Sequence, residues 1–344
     1  MSGEPGIVIV THNSAEYLAA CLESALERSP HVVVVDNLSS DSTCEVARRY
    51  PVQLIANKTN KGFAAAVNQG VSALKTGTVL ILNPDARLLT PLTPMLEYFP
   101  PSVPSRNPSA PSRDREGAVC TGIENAPKTG VVGGRLLDEN GVDQSGFAIR
   151  RFPTPAALIF ECLGLNRLWP GNPVNKRYRA LDADLSIAQE AEQPAGAFLM
   201  FPRDVWQSVG GFDERFHPLW FEDVDFLRRV SNAGYKIWYE PAARAAHSGA
   251  HSIRSLQPSD RQRFWYGNLL RYASIHFESD VTVRLLAVSV LFGVGMRRLL
   301  MRGAPDGSGR PEGASAAGLA WAFVLQGRLA AGLALTGKND KKAI

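Results

Sequence analysis

An open α/β sheet is the fold class this sequence predicts, and three observations carry that prediction. Two runs of β-branched residues, Ile7-Val8-Ile9-Val10 and Val32-Val33-Val34-Val35, are apolar at every position, as strands covered on both faces of a parallel sheet must be. Between them, Ser14 to Arg28 places Tyr17, Leu18, Cys21, Leu22, Ala25 and Leu26 at helical spacing. Strand, helix and strand then form one right-handed crossover unit. The third observation is that the order recurs, with a helix over Ser42 to Tyr50, a strand over Val52 to Ala56, a helix over Phe63 to Leu74 and a strand over Thr78 to Leu82. In such a sheet the loops at the strand C-termini form the ligand crevice.

Past residue 100 the character changes. Pro101, Pro104, Pro108 and Pro111 lie among Ser, Arg and Asn without periodicity, which predicts a flexible insertion over 101–129. Order resumes with the apolar run Val131 to Leu137 and a turn at Asp138-Glu139-Asn140-Gly141. Ala195 to Phe201 predicts a further strand. The Gly210-Gly211-Phe212-Asp213 loop leads to a helix over Val224 to Ala233, which Gly234 caps. Tyr235 to Tyr239 alternates as a strand. From Arg261 onward the chain is mostly helical, broken at Gly303 to Gly313. No internal repeat is present. The expected division is a catalytic domain over 1–255 and a helical region over 256–344.

Composition narrows the function classes. The 344 residues carry a net charge of +4, with arginines gathered in the last third (Arg254, Arg261, Arg263, Arg271, Arg284, Arg297, Arg298, Arg302). That distribution points to an anionic lipid surface or substrate; no nucleic-acid motif accompanies it. Cys21, Cys44, Cys120 and Cys162 fit neither a zinc site nor a redox pair, which predicts a reducing, cytoplasmic setting. An opening that runs directly into a strand predicts no signal peptide. The longest apolar run, Leu285 to Met296, is about 12 residues against the roughly 20 a bilayer requires.

The residues that carry chemistry cluster at predicted loops. Glu222, Asp223 and Asp225 crowd one turn behind Trp220 and Phe221. Acids so fenced have shifted pKa values and suit a general base at the lip of a pocket; an acidic first helical turn is the plain alternative, and it suits Asp225. Asn83-Pro84-Asp85 closes an apolar strand and can offer oxygen ligands to a divalent cation, or form an ordinary turn. Asp36 ends the second strand, where a carboxylate faces the crevice and can accept hydrogen bonds from a ribose or base. Asp41 and Ser42 are read as helix-capping residues. Lys61-Gly62 opens the third helix, where close backbone approach and free N–H groups favour phosphate. For an isolated histidine a structural role is preferred, and His12, His217 and His251 are assigned one.

Taken together these segments resemble glycosyltransferase family 2, the inverting nucleotide-sugar enzymes of the GT-A fold. The likeness covers roughly residues 6 to 255 and rests on Ile7-Val8-Ile9-Val10-Thr11-His12-Asn13, Val35-Asp36-Asn37-Leu38-Ser39-Ser40-Asp41, Asn60-Lys61-Gly62-Phe63-Ala64, Asn83-Pro84-Asp85 and Phe221-Glu222-Asp223-Val224-Asp225. Within the family the chain is similar to bacterial rhamnosyltransferase-type enzymes of cell-surface polysaccharide assembly. The resemblance implies a Rossmann-like, mostly parallel sheet flanked by helices. It implies that Thr11, Asn13, Asp36, Lys61, Gly62, Asn83 and Asp85 bind the nucleotide, and that Asp85 and His247 hold Mg²⁺ or Mn²⁺. It further implies that Asp223 is the catalytic base, with Glu222 beside it. The sequence departs from the family's DxD motif at Asn83, an amide and a weaker ligand than a carboxylate.

The implied partners are a nucleoside-diphosphate sugar donor and a glycan or polyprenyl-linked acceptor. Arg150, Arg151 and the Glu192 to Phe198 region are expected to choose the donor. The aromatic and arginine-flanked segment Arg261 to Met301 can lie in a membrane interface at the inner face of the plasma membrane, or pack as a helical cap. A sugar nucleotidyltransferase would require a Gly-rich loop after the first strand, where Thr11-His12-Asn13-Ser14 stands. A non-catalytic nucleotide-sugar or glycan-binding protein is the other alternative.

Overall fold

The first strand, β1 (Gly6–Thr11), is buried along its whole length, and so is β2 (Val32–Asp36). Both faces of each are covered, which is why neither alternates. Burying a valine contributes roughly 1.5–3 kcal/mol, so Val32 to Val35 alone anchor this edge of the core. The computed structural model describes residues 4–99, 128–249 and 257–301. Most of the 101–129 insertion, His251 and the Gly303–Gly313 break lie outside them.

The N-terminal half is three crossover units: β1, α1 (Ala15–Leu26), β2, α2 (Thr43–Ala47), β3 (Gln53–Ala56), α3 (Phe63–Ala73) and β4 (Thr78–Leu82). Its strands pair in parallel, with Ile7 opposite both Val32 and Leu80. α2 is shorter than its apolar pattern predicts, ending before Pro51, which disfavours helical backbone at Tyr50. β5 (Ala86–Leu88), α4 (Thr93–Leu96), β6 (Thr129–Leu137) and β7 (Ile149–Arg150) follow, then α5 (Pro155–Cys162), α6 (Leu165–Leu168), α7 (Pro173–Tyr178), β8 (Gln189–Glu190) and β9 (Gln193–Pro194). β10 (Phe198–Pro202), α8 (Arg203–Ser208), α9 (Glu222–Asn232) and β11 (Lys236–His247) complete the sheet and its cover.

The strand order is β3-β2-β1-β4-β10-β6-β11-β5, with β8 also on β11. β10 runs antiparallel to both β4 and β6, so the sheet is mixed with mostly parallel strands. This is the GT-A arrangement. β10 begins at Phe198, later than the apolar run suggests, because Phe198 N–H turns back to Ala195 O at 3.3 Å.

β11 runs well past the predicted end at Tyr239. Pro241 ends the alternating pattern in the sequence, yet it falls where the register against β6 shifts, between Glu240 and Arg244. A bulge tolerates a residue that cannot donate to the ladder, and the strand continues to His247.

Apolar clusters fill both faces of the sheet. Two C-terminal helices, Pro258–His276 and Asp280–Met301, join one of them. Leu269, Leu270, Ala273, Leu286 and Val290 are fully buried in the same cluster as Val8, Val35 and Phe226.

Candidate active site

The crevice begins where β1 and β2 end. Asp36 is 2% exposed and accepts from Thr11 Oγ1 at 2.8 Å and from Ser39 N–H at 2.9 Å. Ser39 Oγ donates to the same carboxylate. Asn13 takes the left-handed conformation (φ 53°), and its Oδ1 accepts from Ser40 N–H at 2.7 Å. Thr11, Asn13 and Asp36 thus form one network that shapes the loop after β2. Asp41 fills its capping role, accepting from Thr43 N–H at 3.0 Å and reaching across to Ala15 N–H at 3.2 Å.

Asn37, for which the sequence suggested no role, joins this loop to the next. It is 3% exposed; its Nδ2 donates to Gly62 O at 2.9 Å and its Oδ1 accepts from Asn57. Gly62 has φ +84°, and a Cβ there would lie 2.8 Å from His217 Cδ2. Only glycine fits both the conformation and the approach. Phe63 N–H donates to Pro218 O at 2.8 Å, so the Lys61-Gly62 turn rests on the loop that leads to the acidic motif. Lys61 itself is exposed. His12 and His217 are structural: their rings donate to Asn37 O at 2.8 Å and Asn60 O at 3.3 Å.

The Asn83-Pro84-Asp85 turn joins β4 to β5. β5 pairs antiparallel with β11, setting Ala86 opposite His247. That pairing brings His247 Nε2 within 3.5 Å of Asp85 Oδ1, with the two side chains 3% and 6% exposed. The separation is one that two ligands about 2.1 Å from a shared ion can span. Asn83 Nδ2 lies 3.4 Å from His247 Nε2, so it presents an N–H rather than its oxygen. The neighbouring Cys21 thiol is pushed up strongly by burial and by the Asp85 charge, and stays protonated. Among the described residues no group of three or more His, Cys, Asp and Glu converges. One carboxylate and one imidazole suit a cation that takes its remaining ligands from phosphate and water, and the residues present therefore fit Mg²⁺ or Mn²⁺.

The acidic motif opens α9. Trp220 and Phe221 both have positive φ, 77° and 71°, a strained entry of the kind that persists where surroundings over-determine it. The surroundings here are the Pro258–His276 helix. Phe221 packs on Trp265 and Tyr272, and Asn268 Nδ2 donates to Leu219 O at 2.8 Å. Phe221, directly before the acids, therefore meets this helix.

Asp225 is not an exposed cap. It is 1% exposed, accepts from His276 Nε2 at 2.8 Å and pairs with Arg229 at 2.7 Å. It ties α9 to the C-terminal helix.

Asp223 turns the other way. Its Oδ2 accepts from Gly196 N–H at 3.2 Å and its Oδ1 from Val224 N–H at 2.8 Å. A Cβ on Gly196 would sit 2.8 Å from Asp223 Oδ2, so glycine is required for this approach. Burial raises the Asp223 carboxyl above its ordinary range, opposed by those two N–H groups and by the Arg150 charge. Burial, then the charge of Asp223, hold Glu222 well above the usual carboxylate range. Glu222 Oε2 is buried with no hydrogen-bond partner among the described residues. One residue beyond Gly196, Ala197 O accepts from Asn83 N–H at 3.0 Å. The Gly196-Ala197 step thus links the acidic motif to the Asp85–His247 pair. Of the two arginines expected to choose a donor, Arg150 acts on Asp223, while Arg151 pairs with Asp182 at 2.7 Å.

With this geometry in hand, likeness to known proteins becomes informative. Residues 6–100 match the family model for glycosyl transferase family 2. A solved structure of GalNAc-T7 with UDP, GalNAc and Mn²⁺ superposes with a TM-score of 0.52 at 14% identity, covering 91% of this chain and 53% of that one. The match over residues 6–100 and the shared fold make the chain similar to family 2 glycosyltransferases built on a GT-A scaffold. More narrowly, the chain resembles rhamnosyltransferases. It is 28% identical over 266 residues to the N-acetylglucosaminyl-diphospho-decaprenol L-rhamnosyltransferase of Mycobacterium tuberculosis, covering 72% of this chain and 76% of that protein. It is 24% identical over 259 residues to the rhamnosyltransferase WbbL of Escherichia coli, covering 72% and 85%.

Proposed function

We propose that this protein transfers a sugar, rhamnose in the reading its relatives favour, from a nucleoside diphosphate to a hydroxyl of a glycan or polyprenyl-linked acceptor, with inversion at the anomeric carbon. The observation that carries this reading is the Gly196-Ala197 step, which holds a half-buried carboxylate at one end and the Asp85–His247 pair at the other. Thr11, Asn13 and Asp36 receive the nucleoside, and Lys61 and Gly62 lie along ribose and phosphate with Asn83 and Asp85 beyond them. Asp85 and His247 would hold the divalent cation, whose charge offsets that of the departing diphosphate. Asp223 takes the proton of the acceptor hydroxyl as that oxygen attacks from the face opposite the nucleotide. Its raised pKa strengthens it as a base. Glu222, whose carboxyl is held well above the usual range beside it, orients the acceptor.

Support for a lipid-linked acceptor comes from the Asp280–Met301 helix. Val281, Leu285, Val288, Phe292 and Met296 are 40–66% exposed and recur at helical spacing, with Arg284 exposed beside them. No helix among the described residues is long and apolar enough to cross a membrane. An apolar stripe with adjacent cations suits the cytoplasmic face of a bilayer. Flotation with anionic liposomes, lost in Leu285→Asp/Phe292→Asp, is the expected result; equal flotation of both proteins would remove this contact.

The decisive experiment runs nucleoside-diphosphate sugars with Mn²⁺ or Mg²⁺ against polyprenyl-linked acceptors, with Asp85→Ala beside the wild type. Metal-dependent transfer with an inverted product, lost in the variant, is expected. Pyrophosphate release from a nucleoside triphosphate and a sugar phosphate would instead identify a nucleotidyltransferase. Donor binding without turnover on any acceptor would identify a binding protein.

A further inference from the structure

His247 is gripped by a glutamine in a way that decides which ring nitrogen carries hydrogen. Gln144 lies on the chain's return from the Asp138–Gly141 turn, with its backbone N–H donating to Leu136 O at 3.1 Å. Its side-chain Nε2 donates to the backbone carbonyl of His247 at 2.6 Å. A carbonyl only accepts, so the orientation of the amide follows. The other end of that amide, Oε1, then faces His247 Nδ1 at 3.0 Å. An amide oxygen also only accepts, so Nδ1 carries the hydrogen and the neutral ring keeps its lone pair on Nε2.

One neighbour agrees with this assignment and another fixes the ring. Asn83 presents its Nδ2 to Nε2 at 3.4 Å, a donor facing an acceptor. Phe147 stacks on the imidazole at 5.5 Å between centroids and 7° between planes, which fixes the ring plane. The Nε2 lone pair and Asp85 Oδ1 then stand 3.5 Å apart. Two acceptors at that distance can share a cation, which would take the place of the Asn83 N–H at Nε2.

We propose that Gln144 is a positioning residue. By holding both the ring and the carbonyl of His247 it selects the Nδ1–H tautomer and aims Nε2 at the divalent cation shared with Asp85. This rests on the cation reading above. The logic is that of metal-bound imidazoles in general, where the hydrogen bond at one nitrogen sets the ligand at the other.

The test reads the tautomer without metal. Long-range ¹H–¹⁵N correlations of ¹⁵N-histidine-labelled protein resolve the six histidines, with His247→Asn assigning the signal. Mn²⁺ affinity is measured separately by electron paramagnetic resonance, with and without a nucleoside diphosphate. Gln144→Leu keeps the bulk and removes both polar ends; Gln144→Glu keeps an acceptor toward Nδ1. Thermal melts check that both variants fold. Wild type should show Nδ1–H, Gln144→Leu a mixture of tautomers with Mn²⁺ affinity down about 10–100-fold, and Gln144→Glu the wild-type tautomer. A wild-type ring with hydrogen on Nε2, or a Gln144→Leu variant unchanged in both tautomer and affinity, would overturn the proposal. A wild type with Nδ1–H that binds no Mn²⁺ overturns the cation reading, and this proposal with it. That failure is distinct from the others because the tautomer is read independently of metal.

Discussion

Asp85 and Asp223 stand at two ends of one short backbone link, yet different parts of the molecule hold them. Asp85 is placed by the sheet: β4 delivers it, and the pairing of β5 with β11 sets His247 beside it. Asp223 is placed by packing, on a strained turn that the Pro258–His276 helix clamps through Asn268, Trp265, Tyr272 and His276. A strand end is fixed by ladder hydrogen bonds along its length, whereas a loop is as firm as what covers it. The cation side should therefore tolerate changes in the C-terminal helices, and the base side should not.

The largest effect should come from Asp223→Asn, which removes the base and keeps its shape. General-base catalysis contributes about 10²–10⁴-fold, and kcat should fall by that factor with donor affinity and Mn²⁺ binding unchanged. A parallel loss of Mn²⁺ affinity would show that the two ends are not separable. Because burial raises the Asp223 carboxyl, kcat/KM should fall as pH drops through that raised value, above the usual range of an aspartate.

His276→Ala tests the clamp at a distance. Asp225 and His276 are 1% and 6% exposed in their side chains, and removing this donor while Arg229 still pairs with Asp225 costs about 1–3 kcal/mol. Chemical denaturation should show that loss. Below the melting temperature, kcat should fall more than Mn²⁺ affinity does. Equal loss of both would mean that the clamp supports the whole crevice.

Gly196→Ala strikes the link itself. The added Cβ would lie 2.8 Å from Asp223 Oδ2, displacing the carboxylate from its N–H donor. A displacement of about 1 Å can cost on the order of 10²-fold in rate. The variant should lose kcat with little change in melting temperature; a melt lowered as much as that of His276→Ala would assign Gly196 to the fold.

The same contrast explains what could be seen in the sequence. The strands β1, β2 and β4 and the loops that follow them were legible because apolar runs and terminal polar residues are local signals. Thr11, Asp36 and Asp85 lie where those signals place them. The continuation of β11 to His247 was hidden, since Pro241 breaks the alternation and only the bulge against β6 accommodates it. Trp220 and Phe221 were visible as an aromatic pair, but the partners of Phe221, Trp265 and Tyr272, lie about 44 and 51 residues on and carry no spacing that marks them. Asn37 and Gln144 act through their amides on backbone groups far away in sequence, and no local pattern announces that.

The smallest expected effect is the most diagnostic of how the acids share their charge. Glu222 is 6% exposed with Oε2 unpartnered among the described residues, and its folded-state pKa lies well above the unfolded value. The folded protein therefore binds more protons than the unfolded chain between those two values. Stability from this group is fully present below the unfolded pKa, near 4.5, and is lost as pH rises through the folded one. Glu222→Gln removes the titration while keeping the shape. Its melting temperature should exceed that of wild type at pH 8, and the difference should shrink toward pH 5 as the wild-type carboxyl regains its proton. A difference that instead widens toward acid would mean that Glu222 is ionised in the fold, and the charge beside Asp223 would then have to be reassigned. If the predicted convergence holds, Glu222 keeps its proton to higher pH in the fold than in the unfolded chain, as its burial beside Asp223 requires.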